Sequence, residues 1–105
     1  MDGRITIRYL QEYLKRKDYH PEASERYFLK LVEETGELAR ALHKGLVSNR
    51  PGQVKDTVDE ELWDIMYYVI GLANCFGIDL ELVIPEKEAI NNAKYDSGVQ
   101  FELDR

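Results

Sequence analysis

Two stretches of this chain place apolar or small residues at alternating steps of four and three, the spacing that lines one face of an α-helix. The first runs through Tyr27, Leu31, Glu34, Leu38, Ala41 and Gly45, and the second through Val58, Leu62, Ile65, Val69, Leu72 and Phe76. Each seam must be covered by another element. The segment between them, Val47 to Lys55 with Asn49, Pro51 and Gly52, reads as a loop and makes the two helices antiparallel neighbours.

Local signals set the remaining elements. A first helix is expected over Thr6 to Lys17, with Ile7, Leu10 and Leu14 on one side. Pro21 suits the start of the second helix, which runs to about Lys44 and stops at Gly45. Thr57-Val58-Asp59-Glu60 has the spacing of a capping box, so the third helix begins there or slightly earlier and ends near Gly77. Asp79 can cap a fourth helical segment, interrupted or restarted at Pro85 and continuing to about Tyr95. Asp96 to Arg105 reads as an irregular tail, and no stretch alternates like a strand. The expected architecture is an all-α bundle of four to five helices, with the site between the two antiparallel central ones.

With 105 residues the chain fits one domain, 1–105, whose motif-bearing core spans about 22–95. A domain of this size buries a thin core, which favours an oligomer that covers the leftover apolar surface. The net charge of −6 argues against nucleic acid or an anionic membrane as partner, since both call for a basic field. The lone Cys75 allows no internal disulfide and reads as a packed thiol. No apolar run approaches the ~20 residues that span a bilayer, and Met1-Asp2-Gly3-Arg4 starts no signal-peptide core, so a cytoplasmic location is expected.

Acids interrupt the seams. Glu34 lies within the first, with Glu37 three residues on, while Glu61 flanks the second, with Asp64 three residues further. Two pairs of carboxylates then face each other across a packed interface. Desolvating even one ionised carboxylate costs several kcal/mol, so some must protonate or a cation must bind. Oxygen-only ligands select a hard ion such as Mg²⁺, Mn²⁺ or Ca²⁺. A carboxylate-bridged di-iron bundle requires Glu-x-x-His, which this chain lacks.

Taken together, Glu33-Glu34-Thr35-Gly36-Glu37 and Glu61-Leu62-Trp63-Asp64, with 23 residues between Glu37 and Glu61, resemble the MazG-like all-α nucleotide pyrophosphohydrolases. Gly77-Ile78-Asp79-Leu80 and the series Lys87, Asn91, Lys94 and Tyr95 are similar to that family as well. The resemblance implies Mg²⁺, with Mn²⁺ as a substitute, held by Glu34, Glu37, Glu61 and Asp64. It implies hydrolysis of nucleoside triphosphates to the monophosphate and pyrophosphate, and a homodimer or dimer of dimers. Glu33 matches the motif's first acid and is expected to act behind the ligands, and Glu37 is the chosen proton acceptor. Lys30, Asn91 and Lys94 are the expected phosphate contacts.

Phosphoribosyl-ATP pyrophosphohydrolases carry Tyr-His after the second acid pair. Tyr67-Tyr68 stands there, which favours a nucleotide-pool house-cleaning enzyme. The rival readings are a non-catalytic helical oligomer with a structural ion and a helical interaction module whose acids are merely solvated.

Overall fold

In the computed structural model, which describes residues 3–50, 52–95 and 98–102, the chain forms four α-helices. They are α1 (Ile7–Lys17), α2 (Ser24–Lys44), α3 (Val58–Cys75) and α4 (Leu80–Tyr95), with a 3₁₀ turn at Pro21–Ala23 before α2. No strand occurs among the described residues. Pro51 of the central loop, and 96, 97 and 103–105 of the tail, lie outside the described residues.

The ends of these helices follow from their capping residues. The Thr6 hydroxyl accepts the Tyr9 N–H at 3.0 Å and starts α1, whose last turn carries Lys15, Arg16 and Lys17 against the negative end of the helix dipole. Gly45 adopts a left-handed φ of 67°, and Leu46 N–H reaches back to the Ala41 carbonyl at 3.0 Å, which closes α2. Thr57 caps α3 by accepting the Glu60 N–H. Glu60 completes the box one residue early, on the N–H of Asp56 and not on that of Thr57.

α2 and α3 form the principal packing pair and run antiparallel. At one end the Val58 N–H donates to the Leu46 carbonyl at 2.7 Å; at the other, the Tyr27 ring lies over Gly71. α1 packs across α3 and contributes Leu14 to a core with Ile70, Tyr27, Ala41, Val58 and Ala73. Gln11 and Asn74 lock that crossing: Gln11 Nε2 donates to Asn74 Oδ1 at 3.0 Å, and Asn74 Nδ2 returns to the Gln11 carbonyl at 2.9 Å.

Of the expected seam of α3, Val58 is buried and Ile65 and Leu72 are half-buried, but the other three members face outward. Leu62, Val69 and Phe76 are 51%, 41% and 66% exposed, whereas Val58, Glu61, Ile70, Gly71, Ala73 and Asn74 are buried. α3 is apolar on two sides, and the side with small residues allows the closer helix–helix approach.

Pro85 neither interrupts nor restarts α4, which runs through it. A proline there removes one hydrogen bond to the Glu81 carbonyl, and because no residue of α4 is buried, water can take that acceptor. α4 leaves α3 at 103° and contacts the rest of the domain mainly through α1, where Arg8 pairs with Glu81 at 3.5 Å and Asp79 at 3.8 Å. Among the described residues no single helix is long and apolar enough to cross a membrane.

Candidate active site

Glu34 projects from α2 toward Glu61 and Asp64 on α3, and the three offer carboxylate oxygens that all lie within 4.8 Å of one another. The i, i+3 spacing places the two α3 acids on one side of their helix. The antiparallel register brings Glu34 opposite them. Glu61 is only 8% exposed, and its Oε2 is buried without a hydrogen-bond partner among the described residues.

The electrostatics of the cluster match its geometry. Burial pushes the Glu61 carboxyl up to about 7, helped by proton sharing with Glu34 and by the negative charges of Glu34, Asp64 and Glu60. Asp64 moves upward too, first through burial and then through Glu34 and Glu60. Two remedies exist for such a cluster, a bound proton or a bound cation. Hard oxygen donors with an orphaned buried oxygen among them fit a divalent ion such as Mg²⁺.

Glu37 lies beside this group and outside it. Its Oε2 accepts from Arg40 Nη1 at 3.2 Å, and the residue lines a cavity of about 300 Å³ with Arg40, Ala41, Lys44, Leu46, Asp56 and Glu61. Glu33 is exposed and pairs with Lys30 at 3.5 Å. Lys30 also lies close enough to Tyr68 to oppose the rise that burial imposes on that hydroxyl.

Asn91 and Lys94 are not brought to the acids within one copy of the chain. Asn91 donates to Glu88 at 2.9 Å, and the Lys94 ammonium sits 5.2 Å from the Tyr95 ring centroid. α4 makes no contact with α2 comparable to its contact with α1. Trp63 packs edge-on against Tyr67. Arg40 and Lys44, which line the cavity beside Glu37, were not singled out from the sequence, although their positions three and seven residues after Glu37 put them on the same side of α2.

An all-α domain with a carboxylate cluster that could hold a metal ion between two antiparallel helices is the class that the fold and site define. The family model described as the MazG nucleotide pyrophosphohydrolase domain matches residues 22–93, and this chain belongs to that family. Among solved structures it is similar to iMazG from Vibrio DAT 722. The Ctag-iMazG crystal structure is 43% identical, with a TM-score of 0.78 over 84% of this chain and 99% of the other. Ntag-iMazG is also 43% identical with a TM-score of 0.78, over 87% and 98%. No curated protein matches the chain.

Proposed function

We propose that this chain hydrolyses nucleoside triphosphates between the α and β phosphates, releasing a nucleoside monophosphate and pyrophosphate as a nucleotide-pool house-cleaning enzyme. One observation carries the reading: the convergence of Glu34, Glu61 and Asp64 around a buried Glu61 oxygen that has no partner among the described residues. These three acids are the ligands for Mg²⁺, or Mn²⁺ in its place, with Glu37 one turn away able to join them. A bound divalent ion supplies charge neutralisation on the phosphates and a more acidic water.

The remaining work falls to the protein. Because Arg40 holds Glu37 Oε2, the other oxygen of that carboxylate is left to accept a proton from the attacking water. Glu33 and Lys30 form an outer ion pair beside the cluster. Asn91 and Lys94 serve as phosphate contacts only if a second copy presents its α4. The exposed apolar side chains Leu62, Met66 and Val69 on α3 and Leu29 and Val32 on α2 favour such a copy. A homodimer or dimer of dimers in the cytoplasm belongs to this reading.

The deciding experiment incubates the protein with a panel of canonical and modified nucleoside triphosphates plus Mg²⁺ and separates the products. Monophosphate and pyrophosphate in equal amounts support the reading. Stepwise release of orthophosphate from a pure preparation contradicts it. Light scattering at micromolar concentration tests the assembly, and an active monomer would remove it.

A further inference from the structure

A nucleoside triphosphate brings more anionic oxygens than an ion on three acids can neutralise, so N–H donors must lie near the cluster. On the side of Lys30 the ammonium pairs with Glu33 at 3.5 Å and keeps N–H groups to spare. On the opposite side lies the cavity of about 300 Å³ between the C-terminal half of α2 and the loop that leads into α3. Glu61 lines it and also belongs to the three-acid cluster, so the two spaces adjoin.

Two cations, Arg40 and Lys44, line that cavity together with the carboxylates of Glu37, Asp56 and Glu61, so an anion there arrives with its divalent ion. Arg40 uses Nη1 on Glu37, and that pair leaves further guanidinium N–H groups of its five available. Lys44, one helical turn further on, makes no ion pair among the described residues. It stands in the last turn of α2, where a cation complements the dipole.

The loop wall is fixed in place. Asp59 accepts the N–H groups of Ser48 and Asn49, both at 2.9 Å, and Asn49 adopts a left-handed φ of 55° to allow it. The Leu46 carbonyl takes the Val58 N–H. Leu46 and Asp56, which line the cavity, are thus carried on a loop tied at both ends to the start of α3.

From this placement we infer that the cavity is the subsite for the pyrophosphate end of the substrate, with Arg40 and Lys44 as its phosphate donors and Asp59 as the residue that positions its loop wall. The inference rests on the hydrolase reading for its substrate, and on geometry alone for its anion. Arg40 donates in a fork and suits a bridging pair of oxygens, while Lys44 acts as a mobile point charge. After cleavage, the same two residues retain pyrophosphate, so product inhibition reports on them.

The test titrates inorganic pyrophosphate with Mg²⁺ into the full chain by calorimetry, for the parent and for Arg40→Gln, Lys44→Gln and the double variant. Both side chains are exposed, so the substitutions leave the core intact. Binding should weaken at least tenfold in the double variant. In turnover assays KM and the pyrophosphate inhibition constant should rise together, with kcat falling less. Asp59→Asn should raise KM without altering the Mg²⁺-induced shift in Tm. Pyrophosphate binding equal in parent and double variant overturns the subsite even when nucleotides are hydrolysed. Binding that depends on Arg40 and Lys44 in a protein with no turnover preserves the subsite and removes the hydrolase reading instead.

Discussion

Two carboxylate centres flank α3, and they differ in what answers their charge. At the end of α1, Asp18 accepts from the Tyr67 hydroxyl at 2.7 Å on one oxygen and from the Tyr27 hydroxyl at 2.8 Å on the other. Those bonds, led by the one from Tyr67 and joined by His20 and Lys17, hold its carboxyl below the usual range. Between α2 and α3, Glu61 is more deeply enclosed, yet one of its oxygens has no partner among the described residues and its neighbours are acids. The first centre is complete as folded and ties three helices together. The second gathers acids whose charge no ion pair answers among the described residues, and the proposed metal would answer it.

The sharpest way to break the comparison is Glu61→Gln. On the proposed reading Glu61 is a metal ligand, and its loss should lower turnover by about 100-fold or more. The metal-free protein should be at least as stable as the parent, because relief of like-charge repulsion opposes any lost contact. The parent should gain ~2.7 kcal/mol from Mg²⁺ at a hundred times its dissociation constant, and the variant much less. Thermal melts with chelator and with Mg²⁺, beside a pyrophosphate-release assay, decide it. A variant with full turnover and a full Mg²⁺ shift makes Glu61 an ordinary acid.

Asp18→Ala should do the reverse. It strips the acceptor from two tyrosine hydroxyls and should cost roughly 2–3 kcal/mol in urea denaturation. The increment from Mg²⁺ should stay at the parental value. A stability loss that Mg²⁺ restores would mean the two centres are one.

The pH dependence of the metal-free protein separates the centres again. Glu61 holds its proton more tightly folded than unfolded, so unfolding releases protons between the ordinary glutamate range and about 7. Stability should therefore fall as pH rises from 5 to 8, by on the order of 1–3 kcal/mol, and Glu61→Gln should flatten that slope. Asp18 carries the opposite sign. Its lowered pKa contributes stability above the unfolded value of 3.8 that is lost as pH falls through the folded one. A metal-free urea midpoint unchanged between pH 5 and 8 would contradict the Glu61 half of the contrast.

How much of this was legible beforehand differs by residue. Thr6, Thr57 and Gly45 act through neighbours in sequence, so the helix ends could be read from the chain. Glu34, Glu61 and Asp64, which the fold gathers, could be singled out because charge at seam spacing is unusual, whereas Glu37, singled out with them, lies outside the group. The packing face of α3 could not, since Leu62 and Val69 repeat as regularly as the residues that pack, and only the close approach at Gly71 selects between the sides. Asp18 was invisible for another reason. Its partners lie 9 and 49 residues away, and a lone aspartate after a helix carries no local sign of them.

Tyr67→Phe gives the smallest effect and the finest test of the contrast. The substitution removes one hydroxyl and keeps the ring, which packs edge-on against Tyr68 at 5.1 Å between centroids. Asp18 keeps its bond from Tyr27, so the loss should be about 1 kcal/mol. The route by which this change could reach the acids is short, because Tyr68 feels the charges of Glu34 and Asp64 as well as that of Asp18. If the ring contact is only packing, Tyr67→Phe and Glu61→Gln should add within roughly 0.5 kcal/mol in a double-mutant cycle without metal. The Mg²⁺ increment of Tyr67→Phe should equal that of the parent. A coupling above 1 kcal/mol, or a changed Mg²⁺ increment, would show that the tyrosine pair transmits charge across α3 and that the two centres share one electrostatic network.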